Sequence, residues 1–405
     1  MMPHRRGSRQ SRRSPTTSVP GVVGHTGGVK AEEWAAVAIG SLIAGSVLMS
    51  ALRTVVLPQG GLTGITRFMF ALSDRLFTSP KERRVLPRRL SGLYAPVALV
   101  SLPFAWSMLI AVGFALIFWG LGVGSPSDAW ITSGSSLFTL GFERPEGAGP
   151  ILLCFVEATI GLGIVALLIS YLPTLYTAYS TREQGVGLLA PMTGSPPSAT
   201  ELLWRLHAAQ ALQGNGIWGP TSAWFVALDQ SHTAFPALSR FPPQQRDHSW
   251  VVTAGTVLDA ASIMLSIRRP DGDEDQTALG PLVLVLAHGV PSVVRIAQAA
   301  GLDVTDPPPL VDLVGVDGAD IAPTSVERAE YEQAVGVLVE AGVLQPVDLD
   351  QAWPRYAWLR SGYDTAIRGL AGLTHAPAGI WSSDRALQVG RPHFFSRKPV
   401  TMRGT

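Results

Sequence analysis

Residues 128–149 read DAWITSGSSLFTLGFERPEGAG, a short polar segment between two long apolar runs at 93–124 and 151–178. At ~1.5 Å of rise per residue, each run is long enough as a helix to cross a ~30 Å hydrocarbon core. We interpret the polar segment as a re-entrant loop between two membrane helices, because non-helical backbone at that depth is tolerated where it lines a water-filled path. We therefore expect residues 92–180 to form one unit of helix, loop and helix.

A third apolar run lies closer to the N-terminus. Residues 33–57 predict a first transmembrane helix, in which Arg53 lies near the far end and can extend its charge to the membrane surface. The tail at 1–32 carries five arginines among Ser, Thr, Pro and Gly, a composition typical of a disordered segment. The fold class predicted is therefore α, with three transmembrane helices and a re-entrant pore loop.

Basic residues dominate the segment between the first two spans, at 58–91. The positive-inside rule places this segment in the cytoplasm, which puts the N-terminus outside and the C-terminal part of the chain in the cytoplasm. Apolar residues recur in it at helical spacing. The segment is therefore either an amphipathic helix on the inner membrane surface or a solvated linker helix. The expected location is the cell membrane, as a multi-pass protein in contact with the lipid bilayer.

The composition is that of a membrane part joined to a soluble part. Of 405 residues, 47% are hydrophobic and 15% are charged, and the apolar residues concentrate before residue 180. A net charge of +1 gives no indication of nucleic-acid binding, and the single cysteine, Cys154, excludes an intrachain disulfide framework. Residues 181–200 are rich in Gly, Pro and Ser and predict a linker, followed by a mostly helical cytoplasmic domain at 201–405.

Within that C-terminal domain, helical patterns appear at 198–213, 249–267, 325–343 and 349–371. Ser198 or Thr200 is a candidate cap for the first of these. The run LVLVL at 282–286 is either a short buried strand or the start of a helix, and its length does not decide between them.

The polar segment itself has the composition that a conducting loop requires. Ions that cross a membrane exchange their water shell for fixed oxygens, which rings of backbone carbonyls can supply when several chains surround one axis. Residues 128–138 predict a pore helix capped by Ser127 or Asp128, followed by the short extended run Thr139-Leu-Gly-Phe-Glu143. Gly141 provides conformational freedom where such a backbone turns.

In this run, Thr139-Leu140-Gly141-Phe142 resembles the selectivity filter of the potassium-channel superfamily, Thr-Val-Gly-Tyr-Gly. The flanking spans resemble the two-helix pore domain of its bacterial members, over about residues 93–180. The resemblance implies a homotetrameric cation channel in which these four residues donate filter carbonyls and Thr139 adds its hydroxyl. The permeant ion it implies is a monovalent cation, K⁺, with no other cofactor and no catalytic activity.

The sequence departs from the family pattern at the end of the filter. Glu143 replaces the last filter glycine, and Arg144 stands where the family has Asp. In a tetramer, Glu143 would form a ring of carboxylates at the outer mouth, a charge that attracts cations. The loss of glycine leaves strict potassium selectivity open and keeps a second interpretation, a non-conducting membrane sensor or interaction protein with a pore-like fold.

Three residues of the last span are candidate functional positions. Gly161 and Gly163 follow Gly141 by 20 and 22 residues, which is where the family carries a glycine hinge in its inner helix. They are either gating hinges or small residues that allow close helix packing. Glu157 is either an acidic group near the pore that influences ion occupancy, or a structural hydrogen-bond partner of Ser135 or Ser136.

Signals for other chemistry are weak. The run GNGIWG at 214–219 fits a dinucleotide-binding spacing but follows a helical stretch and not a strand. The histidines lack metal-ligand spacing, and no nucleophile, base and orienting group occur in a recognisable set. We therefore predict no enzyme activity and no metal site. A membrane-anchored enzyme with its active site in the C-terminal domain is a third interpretation, for which the sequence offers no catalytic set. The ligand of the cytoplasmic domain is unknown.

Overall fold

The computed structural model describes residues 31–55, 94–245, 247–267, 276–307, 323–389 and 402–403. Within these ranges the chain is helical, apart from one antiparallel pair of two-residue strands, Gln388–Val389 and Met402–Arg403. The predicted helical fold class is confirmed. The basic tail up to residue 30 and the amphipathic segment at 58–91 lie outside the described residues.

Up to residue 193, the described part of the chain forms four helices. They are α1 (Ala31–Val55), α2 (Tyr94–Gly120), α3 (Pro126–Leu137) and α4 (Ala148–Thr193). Three of them, α1, α2 and α4, are long and apolar enough to cross a membrane, and each lies where a span was predicted. The short helix α3 packs against α2 and α4, so that the loop after it is supported on two sides.

The contact between α1 and α2 depends on small residues. A Cβ atom added at Gly40 would lie 2.3 Å from the carbonyl oxygen of Gly113, and one added at Gly120 would lie 2.5 Å from that of Glu33. Two glycines that face a partner backbone in this way let helices approach closely, which strengthens van der Waals packing where no hydrophobic effect operates. The side chains of Val47, Phe114 and Phe118 fill the rest of this contact.

Helix α4 is the element that joins the two halves of the chain. Its 46 residues correspond to a length of about 70 Å. The predicted linker at 181–200 is wrong for its first part, because the helix continues to Thr193 and includes Pro173 and Pro191. The glycines in this stretch disfavour a helix. Burial of Val186 and Leu189 in the C-terminal core stabilises the helix in spite of them.

In the described ranges, the C-terminal domain contains seven further α-helices and two short 3-10 helices, Pro236–Arg240 and Ser383–Arg385. The α-helices are α5 (Ala199–Ala208), α6 (Trp218–Ala234), α7 (Trp250–Ser266), α8 (Gln276–Ala299), α9 (Arg328–Glu340), α10 (Leu349–Ser361) and α11 (Asp364–Thr374). Every residue of α7 is buried, so this helix is the centre of the core. The prediction of a mostly helical domain is confirmed.

Individual predictions in this domain had different outcomes. Ser198 caps α5 by accepting a hydrogen bond from the backbone N–H of Glu201 at 3.2 Å, as proposed. The ambiguous run at 282–286 lies in helix α8, so the strand alternative is wrong. The single helix expected at 349–371 is two helices that meet at Gly362 and Tyr363.

Helix α8 is a fourth helix that is long and apolar enough to cross a membrane, which the sequence analysis did not anticipate. Its apolar window, Gly280–Ala299, is 56% buried inside the protein, compared with 17% for α4. It packs mainly against α6 and α7. Its apolar character is therefore also that of a helix in the core of a domain.

A buried ion-pair network joins α7 to α10 and α11. Arg360 donates hydrogen bonds to Asp259 (2.5 Å), to Asp364 (2.9 Å) and to the carbonyl oxygen of Trp381 (2.5 Å). The hydroxyl of Tyr363 donates a further bond to Asp259 at 2.8 Å. Since Arg360 and Asp259 are almost fully inaccessible, this pairing offsets the large cost of burying their charges.

Candidate pore loop

The local sequence defines where the helix before the candidate filter begins. Ser125 is the N-cap of α3: its hydroxyl accepts from the N–H of Asp128 (3.3 Å), and its own N–H donates to the Asp128 carboxylate (2.8 Å). Pro126 follows at the first helical position, where its missing N–H costs nothing. The predicted cap, Ser127 or Asp128, is therefore wrong by a few residues, although Asp128 is part of this capping box.

After α3 ends at Leu137, the backbone of the candidate filter turns back over one residue, Ser135. The carbonyl oxygen of Ser135 accepts from the N–H groups of Leu140 (2.8 Å) and Gly141 (3.4 Å). Its hydroxyl oxygen accepts from the N–H groups of Phe142 and Glu143, both at 3.1 Å. Four successive N–H groups thus converge on a single buried serine.

This convergence fixes the direction of the carbonyl groups. In a trans peptide unit, the C=O of one residue and the N–H of the next lie in one plane and point in opposite directions. The N–H groups of residues 140–143 face Ser135, so the carbonyls of Thr139, Leu140, Gly141 and Phe142 face away from it. These are the four residues that the filter resemblance named as carbonyl donors.

The backbone dihedrals of the loop explain how one row of carbonyls is possible. Thr139 has φ of 55° and Gly141 has φ of 68°, whereas Leu140 and Phe142 are not in the left-handed region. Positive and negative φ therefore alternate over residues 139–142, and the successive N–H groups lie on one side of the chain, towards Ser135. Glu143 is not left-handed either, so this loop has no conformational need for glycine at the position where the family has one.

The side of the loop away from Ser135 is open. Leu140 and Phe142 are 62% and 65% exposed, although both are large and apolar. Glu143 and Arg144 are exposed as well, while Pro145 is buried. Nothing in the described part of this chain therefore covers the carbonyl side of the filter residues.

The two glycines of α4 have different surroundings. A Cβ atom added at Gly161 would lie 2.0 Å from the carbonyl oxygen of Leu137, so α4 and the end of α3 approach each other as closely as their backbones permit. Gly163 meets nothing within 4 Å. Close packing accounts for Gly161, whereas the hinge role of Gly163 stays a prediction.

Glu157 lies one helical turn before Gly161 and is fully buried. Its Oε1 atom lies 2.5 Å from the hydroxyl of Ser133, which also lies 3.0 Å from the carbonyl oxygen of Ala111. A structural hydrogen bond between Glu157 and helix α3 was one of the two interpretations, and the structure contains such a bond. Its partner on α3 is Ser133 and not Ser135 or Ser136. Glu157 therefore contacts α3 at Ser133, two residues before Ser135.

Sequence reasoning missed the junction where α4 meets the C-terminal domain. Arg182 is buried and donates to the carbonyl oxygens of Leu238 (2.9 Å), Phe241 (3.3 Å) and Pro242 (3.3 Å). Glu183 pairs with Arg182 at 2.8 Å and accepts from the N–H of Gln244 at 2.7 Å. The signal available in the sequence was the adjacent charges of Arg182 and Glu183, directly after an apolar span.

The same junction is closed on its other side by α6. The indole N–H of Trp224 donates to the carbonyl oxygen of Arg182 at 3.1 Å. A Cβ atom added at Gly185 would lie 2.2 Å from the Trp224 ring, so only glycine permits this contact. Gly185 of the predicted linker is therefore a packing residue within a helix, whereas Gly194 is the C-cap at which α4 ends.

Comparison of this chain with protein-family models, with curated proteins and with solved structures finds no match. Within the described ranges, no group of three His, Cys, Asp or Glu side chains is arranged to hold a metal ion. The candidate site rests on the geometry of the loop, in which backbone carbonyls are the oxygen ligands on offer.

Proposed function

We propose that this chain is one subunit of a homotetrameric cation channel, with residues 139–143 as its ion-selective segment. The observation that carries the proposal is the convergence of four N–H groups on Ser135, which leaves the carbonyls of residues 139–142 on one open side. Four such loops around an axis supply rings of oxygens that replace the water shell of a cation. The ion that best fits the resemblance is K⁺.

The exposure of α4 supports assembly around an axis. Many of its large apolar side chains lie uncovered along its length, among them Leu152, Phe155, Leu162, Val165 and Ile169. A helix with this exposure requires lipid or protein neighbours on several sides. In a tetramer, α4 lines the pore and contacts adjacent subunits, while α1 and α2 face lipid.

The proposed topology has α1, α2 and α4 crossing the cell membrane and residues 128–149 re-entering it. The basic segment at 58–91 then lies in the cytoplasm, with the N-terminus outside and the C-terminal domain inside. We assign α8 to the C-terminal domain and not to the membrane, because more than half of its apolar window is buried against other helices. Glu143 forms a carboxylate ring at the outer mouth.

The test is cation flux through the purified full-length protein in liposomes, alongside crosslinking in the same membranes. We expect a crosslinked tetramer, and K⁺ flux that falls strongly in Gly141→Ala, because φ of 68° is strained for alanine. A protein that crosslinks only as a monomer would refute the proposal. A stable tetramer without flux for wild type and variant alike would refute conduction.

A second candidate function, a non-conducting membrane sensor, is favoured by one observation. Helix α4 passes without interruption from the candidate pore into the C-terminal core, where Arg182 and Glu183 attach it. Such an element transmits force between two domains whether or not ions pass. A tetramer without flux is the outcome that supports this function.

A further inference from the structure

The hydrogen bonds around Glu157 indicate that its carboxyl group carries a proton. The hydroxyl of Ser133 has one hydrogen and two acceptor positions. It lies within hydrogen-bond distance of two oxygens, Glu157 Oε1 at 2.5 Å and Ala111 O at 3.0 Å. The carbonyl of Ala111 can only accept, so both contacts are satisfied together when Ser133 donates to Ala111 and Glu157 donates to Ser133.

The surroundings of the carboxyl group agree with that arrangement. Glu157 is fully buried, and its Oε2 atom has no hydrogen-bond partner among the residues that the structure describes. Ile164, Leu137 and Ala129 belong to the apolar cluster around this region. An ionised carboxylate offers about four acceptor positions and is costly to bury without partners, whereas a neutral acid needs little more than one acceptor for its proton.

We propose that Glu157 is a positioning residue whose protonated carboxyl group holds the pore helix α3 in place. The hydrogen bonds run from Glu157 of α4 to Ser133 of α3 and from Ser133 to Ala111 of α2. This proposal rests on the proposed channel function. Loss of the proton places a negative charge in the dry contact between three helices. Helix α3 then loses the hydrogen bonds that position it, and the candidate filter loses its support.

The geometry of α3 explains why this would affect conduction. Ser133, which faces Glu157, is two residues before Ser135, which orients the carbonyls of residues 139–142. Both serines belong to one rigid turn of helix. A displacement at Ser133 is therefore carried to the filter backbone, and alkaline pH is expected to close the pore reversibly.

Other titratable groups lie on the elements packed around Glu157. In the described residues they are Asp128 on α3, Tyr94 on α2, Glu32, Glu33 and Arg53 on α1, and Cys154, Tyr171, Tyr176, Tyr179, Arg182 and Glu183 on α4. The variant Glu157→Gln leaves all of these in place. It keeps a neutral hydrogen-bond donor towards Ser133 and cannot ionise, so it is the matched control for the carboxyl proton.

The first measurement is infrared difference spectroscopy of the full chain in liposomes, which detects the C=O stretch of a protonated carboxyl. We expect this band in wild type at about pH 7, where an exposed glutamate is ionised, and its loss in Glu157→Gln. Ser133→Ala is expected to shift the band, because the hydrogen bond between Ser133 and the Glu157 carboxyl is lost. This variant also serves as the second test if Glu157→Gln does not assemble. Absence of the band in wild type overturns the proposal.

The second measurement is K⁺ flux in the same liposomes as pH is raised from about 7 to about 10 and returned. Wild-type flux should fall over the range in which the carboxyl band disappears and should recover on return, while flux through Glu157→Gln should stay constant. The same pH profile in both proteins overturns the switch. A band that titrates without flux at any pH supports the assigned proton and refutes the channel function.

Discussion

Gly161 of α4 lies directly against the carbonyl oxygen of Leu137 at the end of α3, with only 2.0 Å between that oxygen and the position of a Cβ atom. No side chain fits this contact without displacement of one helix. Helices α4 and α3 therefore lie against each other at this point, one turn after Glu157 makes its hydrogen bond to α3.

Gly161→Ala is the first prediction. The added methyl group overlaps the Leu137 backbone, and overpacking of this kind costs about 1–3 kcal/mol. We expect a lower Tm of the full-length protein in detergent, together with reduced flux. Gly163→Ala is the matched control, since nothing lies within 4 Å of that position, and its Tm should be nearly unchanged. Equal destabilisation by the two variants would contradict the close contact.

Ser135→Ala tests the orientation of the filter backbone. The variant leaves the N–H groups of Phe142 and Glu143 without their acceptor, and each unsatisfied donor costs about 1–3 kcal/mol if it stays buried. We expect a tetramer that still assembles but has lost ion selectivity, measured as the ratio of K⁺ to Na⁺ flux.

Two further substitutions make the selectivity experiment specific. Ser136→Ala removes a hydroxyl that bonds only within α3, to the carbonyl oxygen of Thr132, and should keep wild-type selectivity. Ser135→Thr retains a hydroxyl and should recover part of the selectivity. If Ser135→Ala and Ser136→Ala behave alike, then the role assigned to Ser135 is wrong.

Arg182→Met tests the junction between α4 and the C-terminal domain. The change removes three hydrogen bonds to backbone carbonyls and leaves Glu183 buried without its charged partner, a loss of about 3–5 kcal/mol. Hydrogen exchange of the backbone at 235–244 should become much faster than in wild type.

The control for this variant is Arg328→Met on α9. Arg328 is also bonded to carboxylates, but its side chain is 48% exposed, so its loss should cost about 0–1 kcal/mol and leave exchange at 235–244 unchanged. Unchanged exchange in Arg182→Met would show that other contacts hold the junction.

The stability of the C-terminal domain should depend on acid pH through Asp364. Burial acts to raise the pKa of this carboxyl, but the adjacent Arg360 guanidinium and the Ser325 hydroxyl outweigh burial, so the pKa is lowered overall. A lowered pKa means that the ionised form stabilises the fold. That stabilisation is complete above the pKa of about 4 in the unfolded chain and is lost as pH falls through the lower folded value.

We therefore expect the Tm of this domain to be nearly constant from about pH 7 to about pH 5 and to fall below about pH 4. Asp364→Asn should lower the Tm at neutral pH, because Arg360 loses a charged partner, and should weaken the acid transition. Asp350→Asn is the control. The Asp350 side chain is 82% exposed in its pair with Arg328, so the Tm at neutral pH and the acid transition of this variant should match wild type. The same acid transition in Asp364→Asn would contradict this account.

Several features could be predicted from local sequence because their causes are local. The apolar spans, the cap at Ser198 and the need for a flexible residue at Gly141 each depend on a few adjacent residues, so position and composition were sufficient. The existence of a short helix before the filter was predictable for the same reason. Its N-cap was misplaced, because Ser125, Ser127 and Asp128 are all residues that cap helices.

The errors concern contacts between residues that are distant in sequence. Glycines and prolines after residue 180 indicate a linker when they are considered alone. The helix continues because Val186 and Leu189 are buried in the C-terminal core and because Gly185 lies against the Trp224 ring. The partner of Glu157 is Ser133, 24 residues earlier, and this choice depends on the rotation of α3 about its axis.

By itself, the sequence determined that apolar helices of membrane length precede a helical domain, because hydropathy is a property of the residues themselves, and its resemblance to the potassium-channel filter singled out residues 139–143. Only the tertiary structure decided that Ser135 gathers the N–H groups of the loop, that Gly161 is a packing residue, and that α4 is continuous with the C-terminal core. The physical reason is that each of these depends on a hydrogen bond or a contact distance of a few Å. Such distances are set by how helices cross and rotate against one another, which no local pattern of residues specifies.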